Sequence, residues 1–192
     1  MRGLLIDSTR PVFTAALITD TECFASNPDA GNKRHTAVIL PTIDALLKTH
    51  GIDGISELDF CAGVTGPGSF TGIRVGLAML NAFHAATGVN LIGITALEAA
   101  AFEKDNCVAY LPQAGKDAYS LIKKGDSQEY TSLYDDGINA LNLEKIEVCA
   151  EKLANMDETA RLLRQKFSEN KFDYPLAPFY IKPSSADKLL LI

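Results

Sequence analysis

The stretch Val64-Thr65-Gly66-Pro67-Gly68-Ser69-Phe70-Thr71-Gly72-Ile73-Arg74-Val75-Gly76-Leu77-Ala78 limits most sharply what this chain can fold into. The apolar run Phe60-Cys61-Ala62-Gly63-Val64 before it has the composition of a buried strand. Gly66-Pro67-Gly68 then breaks that period. Ser69 or Thr71 can cap a helix, because a short hydroxyl accepts from the exposed N–H groups of a first turn. The helix that follows runs to about Ala86 and ends at Thr87-Gly88, since glycine tolerates the left-handed turn. A strand, a glycine turn and a helix start can hold phosphate, or the glycines can serve only tight turning and close packing. Known spacings are not met. A P-loop needs Lys-Ser/Thr after its last glycine, whereas Gly72 precedes Ile73-Arg74, and Gly66, Gly68 and Gly72 miss G-x-G-x-x-G by one residue.

Other segments fit an α/β chain. Gly3-Leu4-Leu5-Ile6-Asp7 reads as a first strand, Val12 to Ile18 as a second and Glu22-Cys23-Phe24-Ala25 as a third. His35 to Leu47 has helical period, with Ile39, Ile43, Leu46 and Leu47 in one stripe. Pro41 lies in its first turn or kinks it, and Val38 and Leu40 lie off the stripe. Asn90 to Ile94 is a further strand, followed by the capping-box pattern Thr95-Ala96-Leu97-Glu98. Beyond residue 103 three strands are expected around Cys107 to Leu111, Ala118 to Ile122 and Glu129 to Tyr134. Helices are expected over 143–153 and 158–167, with Arg161, Arg164 and Lys166 on a solvated face. A proline-broken tail follows, from Pro175 to Pro183.

Net charge is −6 over 192 residues, split −4 and −2 between residues 1–103 and 104–192. Neither half has the cationic excess that neutralises phosphates, so strong direct nucleic-acid binding is not expected. The four cysteines form no C-x-x-C, so neither a zinc site nor a redox pair is expected. No run reaches membrane-spanning length, and Met1-Arg2-Gly3 opens no secretion signal, which points to the cytoplasm. None of the three histidines stands four residues from another, and Ser69 lacks the G-x-S-x-G context, so neither a metal nor a catalytic residue is expected.

The eleven residues from Gly66 to Gly76 resemble the signature of the TsaB (YeaZ) family. Its members are subunits of the bacterial complex that places a threonylcarbamoyl group on the adenosine next to the anticodon of certain tRNAs. Ile6-Asp7-Ser8-Thr9, the His35-Thr36 helix start with Leu40-Pro41, and Pro178-Phe179-Tyr180-Ile181-Lys182 are similar to family segments as well. In the second half the match thins. Pro112-Gln113-Ala114 and Asp117-Ala118-Tyr119 keep only the acid and tyrosine of a family Asp-Ala-Arg … Glu-x-Tyr pattern.

The resemblance implies an actin-like, RNase H-like (ASKHA) fold of two lobes with mixed sheets, residues 1–103 and a shortened 104–192. It also implies a subunit without chemistry or cofactor of its own, which supports a TsaD-type catalytic partner, meets a TsaE-type ATPase through the complex, and forms a homodimer when alone. The contact would use the two helices through Ile39, Ile43, Leu47, Gly72, Ile73, Gly76, Met79, Leu80 and Phe83. Two glycines inside a helix cost about 1 kcal/mol each against alanine, and close packing, within the lobe or against another chain, is the expected return. The alternative is an actin-fold ATPase or kinase that meets nucleotide through Asp7, Ser8, Gly66 and Gly68. On the sequence alone, Asp7→Ala separates these readings, and Gly76→Leu blocks pairing while sparing the lobe.

Overall fold

The computed structural model describes residues 1–28, 35–115, 117–153 and 155–181. The first sheet holds β1 (Arg2–Asp7), β2 (Thr14–Thr19), β3 (Cys23–Ser26), β4 (Phe60–Gly66) and β5 (Asn90–Thr95), in the order β3-β2-β1-β4-β5. The first three strands pair antiparallel, whereas β4 runs parallel to both β1 and β5. That order and sense is the RNase H-like arrangement. Both faces of the sheet are covered, so its strands read as continuous apolar runs. Period-two alternation sorts the side chains. Leu4, Ile6, Ala15, Leu17, Cys61 and Leu91 enter one core, while Leu5, Ala16, Ile18, Phe60, Ala62, Val64, Ile92 and Ile94 enter the other.

Helices α1 (His35–Thr49) and α2 (Phe70–Thr87) cover the first of these faces. Ser69 is the cap of α2, its Oγ accepting from the Gly72 N–H at 3.2 Å, and Gly88 ends the helix in the left-handed region. Pro41 lies in the second turn of α1, on an exposed side. There the Ala37 carbonyl that loses its partner is open to water. Between α1 and β4, residues 52–58 include a one-turn 3-10 helix at Ile55–Glu57.

The second sheet is smaller. Its strands are β6 (Asn106–Pro112), β7 (Asp117–Lys124), β8 (Ser127–Tyr134) and β9 (Glu144–Glu147), in the order β8-β7-β6-β9. Two helices cover the other face of the first sheet: α3 (Ala96–Ala100), which carries the capping box at Thr95 and Glu98, and α5 (Met156–Ser168). A further short helix, α4 (Asp135–Ala140), packs on β8.

Two expectations for the second half are corrected. Residues 143–153 are not helical. Ile146 and Val148 point inward as the chain pairs in parallel with β6, and that burial overrides the helix-forming Glu and Lys around them. Of the α5 cations only Arg161 is on a solvated face, where it pairs with Glu103: Arg164 donates to the carbonyls of Thr19 at 2.8 Å and Glu22 at 2.9 Å, and Lys166 to that of Gly93 at 3.0 Å. Helix α5 also packs on β3 and β5 and shares one core with both sheets. The tail is extended as expected over 175–181; Lys182 and Pro183 lie outside the described residues.

The tail straps the open edge of β5. The Asp173 N–H donates to the Leu91 carbonyl at 2.9 Å, and Asp173 Oδ2 accepts from the Gly93 N–H at 2.8 Å. Leu176 and Asn81 exchange two hydrogen bonds, and the Phe179 N–H reaches the Thr65 carbonyl at 2.9 Å. An unpaired strand edge would otherwise invite another chain.

Cys61 and Cys107 are sealed in these cores, while Cys23 and Cys149 are half-buried. Burial pushes the Cys61 thiol up to about 12, so at pH 8 it stays protonated and unreactive. A disulfide reagent at pH 8 is expected to titrate Cys23 and Cys149 in the native protein, and the other two only in denaturant. Four thiols reacting at one rate without denaturant would contradict this core.

Candidate protein–protein interface and the neighbouring crevice

The crevice outside the carboxyl ends of β1 and β4 is where an open α/β sheet takes ligands. Asp7 ends β1 and is fully buried. Its Oδ1 accepts from the Thr9 N–H at 2.8 Å and the Thr9 hydroxyl at 2.6 Å, and its Oδ2 accepts from Arg10 Nη1 at 2.8 Å. Both carboxylate oxygens are thus engaged inside the chain, and the neutralising cation is the protein's own. Ser8 is also buried and donates to the Gly72 carbonyl at 2.7 Å. Gly66 is buried below Phe179 of the tail, and Gly68 is exposed. Asp7 and Ser8, expected from sequence as nucleotide contacts, are parts of an internal hydrogen-bonded turn. Among the described residues, no group of three His, Cys, Asp or Glu is placed to hold a metal ion.

Gly72 and Gly76 have the same explanation. A Cβ at Gly72 would fall on the Ser8 carbonyl oxygen, and one at Gly76 on Ser8 Oγ. The groove they form is filled by the loop after β1, which is also held by the Ser69 N–H donating to the Thr9 carbonyl at 2.7 Å. The close approach at these two glycines is made within the lobe.

The stripe residues differ in burial. Ile39, Ile43, Leu47, Ile73 and Leu80 are buried against the first sheet. Burying a side chain of that size contributes about 1.5–3 kcal/mol, so these five are committed to their own lobe. Met79 and Phe83 are half-buried at the margin of that core. Around them α2 exposes Ala78, Ala82 and Ala86, with Val75 half-buried. On α1 Leu40 is 55% exposed, beside exposed Ala37 and Pro41. An apolar strip therefore survives on the outer flanks of both helices. Leu40 was not among the residues assigned to the contact, although its place off the buried stripe was the available signal.

A second cluster lies at the start of α2. Phe70, 40% exposed, stacks on Tyr180 of the tail with ring centroids 5.4 Å apart. The Arg74 guanidinium lies 3.9 Å over the Phe70 ring, and its Nε donates to the Tyr180 hydroxyl at 3.2 Å. Nothing local in the sequence brings residue 180 to this helix.

A two-lobed α/β protein, RNase H-like in its first sheet, with its crevice occupied by its own side chains and an apolar strip on two helices, is the class so defined. Residues 25–179 match the family described as TsaD: tRNA N6-adenosine threonylcarbamoyltransferase. The chain is similar to the TsaB protein of Haemophilus influenzae, 33% identical over 122 residues covering 60% of this chain and 51% of that one. It is also similar to TsaB of Buchnera aphidicola subsp. Schizaphis graminum, 26% identical over 177 residues and 82% and 83% of the two chains. YeaZ from Pseudomonas aeruginosa shares the fold, with a TM-score of 0.72 at 15% identity over 93% of this chain and 99% of that one. The chain belongs to the matched family and, within it, to the TsaB (YeaZ) proteins. It spans about half the length of the H. influenzae relative and 41% of the corresponding Escherichia coli protein.

Proposed function

We propose that this chain serves tRNA threonylcarbamoyladenosine biosynthesis as a subunit without chemistry of its own. It docks a TsaD-type catalytic subunit through the outer flanks of α1 and α2, and pairs with a second copy of itself when that subunit is absent. The observation that carries this reading is the apolar strip of Leu40, Val75, Met79, Ala82 and Phe83, which the lobe's own core leaves partly open. Support acts by binding the competent state of the partner more tightly than its other states. The net charge of −6 favours leaving the tRNA to the partner, and a TsaE-type ATPase joins through the assembled complex. The proposed site is in the cytoplasm, and no helix among the described residues is long and apolar enough to cross a membrane.

Binding of a TsaD-type protein to Leu40→Asp and Phe83→Asp variants tests the proposal. Central apolar anchors contribute about 2 kcal/mol or more each, so each change is expected to weaken the complex about 30-fold. The Tm of Leu40→Asp should stay within a few degrees, because that side chain is mostly in solvent. Wild-type affinity in both variants, measured by calorimetry, would remove the interface from these flanks.

A further inference from the structure

Arg10 stands at the carboxyl end of β1 and is 2% exposed. Its Nη1 donates to Asp7 Oδ2 at 2.8 Å and to Thr9 Oγ1 at 3.1 Å. Its Nε reaches the Cys149 carbonyl at 2.8 Å, in the segment between β9 and α5. Two residues on, the Val12 N–H donates to the Glu151 carbonyl at 2.9 Å. Nη2 is buried without a hydrogen-bond partner among the described residues. A buried N–H group left unsatisfied is a penalty, and the guanidinium carries it at Nη2 while Nε and Nη1 are engaged. It is placed by two anchors: a carboxylate on the first sheet and a carbonyl belonging to the second half of the chain.

We propose that Arg10 is a lock between the two halves of this protein. Asp7 holds one prong of its fork and the Cys149 carbonyl holds its stem. Arg10 thereby fixes the 149–151 segment against the loop between β1 and β2. Asp7 is the counter-ion that lets the fork be buried. The inference concerns the crevice alone and stands whichever partner the helices take.

Hydrogen exchange on the full chain tests it, with the Val12 amide as reporter and the amides of β4 as reference. In Arg10→Lys a single ammonium can meet Asp7 or the Cys149 carbonyl but lacks the rigid fork that holds both. Exchange at Val12 is expected to rise at least tenfold while β4 keeps its wild-type rates. The paired replacement of Asp7→Leu with Arg10→Met removes the buried charges together. It leaves no lone buried charge, so its Tm is expected to lie above that of Asp7→Leu alone, though below wild type because the Thr9 N–H and hydroxyl lose their acceptor. Val12 protection is not regained, and the pair gives the same reading if Arg10→Lys does not fold. Wild-type protection at Val12 in these variants would overturn the proposal. So would a rise there matched by an equal rise in β4, which would mark Arg10 as a contributor to global stability alone.

Discussion

Asp7→Ala is expected to lower the Tm by about 6–20 °C. The carboxylate it removes is the counter-ion of a buried guanidinium, and removing one partner of a buried pair costs about 3–5 kcal/mol, which in a chain of this size corresponds to about 2–4 °C per kcal/mol. The Thr9 N–H and hydroxyl lose their acceptor as well. Asp7→Asn should fall in between, since the amide oxygen can still accept while the charge on Arg10 goes unanswered. Thermal melts of these two variants beside wild type check the expectation, and a Tm for Asp7→Ala within 2 °C of wild type would refute the role given to the pair. The structure also changes what such a variant can say about activity. Loss of function in Asp7→Ala would follow from instability as readily as from a missing nucleotide ligand, so it does not discriminate a scaffold from an ATPase.

Gly72→Ala is expected to destabilise the fold by up to about 2 kcal/mol, even though leaving glycine inside a helix gains about 1 kcal/mol of propensity. The new methyl would strike the Ser8 backbone carbonyl, which cannot rotate away, and overpacking of this kind costs about 1–3 kcal/mol. At Gly76 the obstacle is only Ser8 Oγ. Combining Gly76→Ala with Ser8→Ala should therefore be close to neutral, whereas Ser8→Ala should not rescue Gly72→Ala. Urea midpoints for the four variants decide it, and equal rescue at both positions would show that the collision with the Ser8 backbone had been misread. Gly76→Leu is for the same reason a poor probe of pairing: it disrupts the loop after β1 before it can block another helix.

The core of the first sheet was legible because its signals are local. Leu4-Leu5-Ile6, Phe60 to Val64 and the Ser69 cap each declare themselves within a few residues, and the structure has them as β1, β4 and the start of α2. Which side of each helix faces the core was not legible, for a definite reason. A helix apolar on several sides shows which residues share a stripe but not which stripe faces inward. Ile39, Ile43 and Leu47 make the better stripe, and the better stripe was taken by the core. Leu40 remained outside. The partners of Arg10 and of the tail had no local signal at all: Cys149 is 139 positions from Arg10, and Tyr180 is 106 from Arg74. Residues 143–153 failed through composition, since their Glu and Lys suit a helix as an isolated peptide but the β6 edge recruits Ile146 into a strand.

The strap over β5 sets an order of events during synthesis. Gly93 leaves the ribosome 80 residues ahead of Asp173, its later partner. At about 5–20 residues per second that interval lasts about 4–16 s. Throughout it the nascent first sheet carries a bare margin able to pair with a neighbouring chain on the same message, and the newborn protein is closed against such encounters only when its last part emerges.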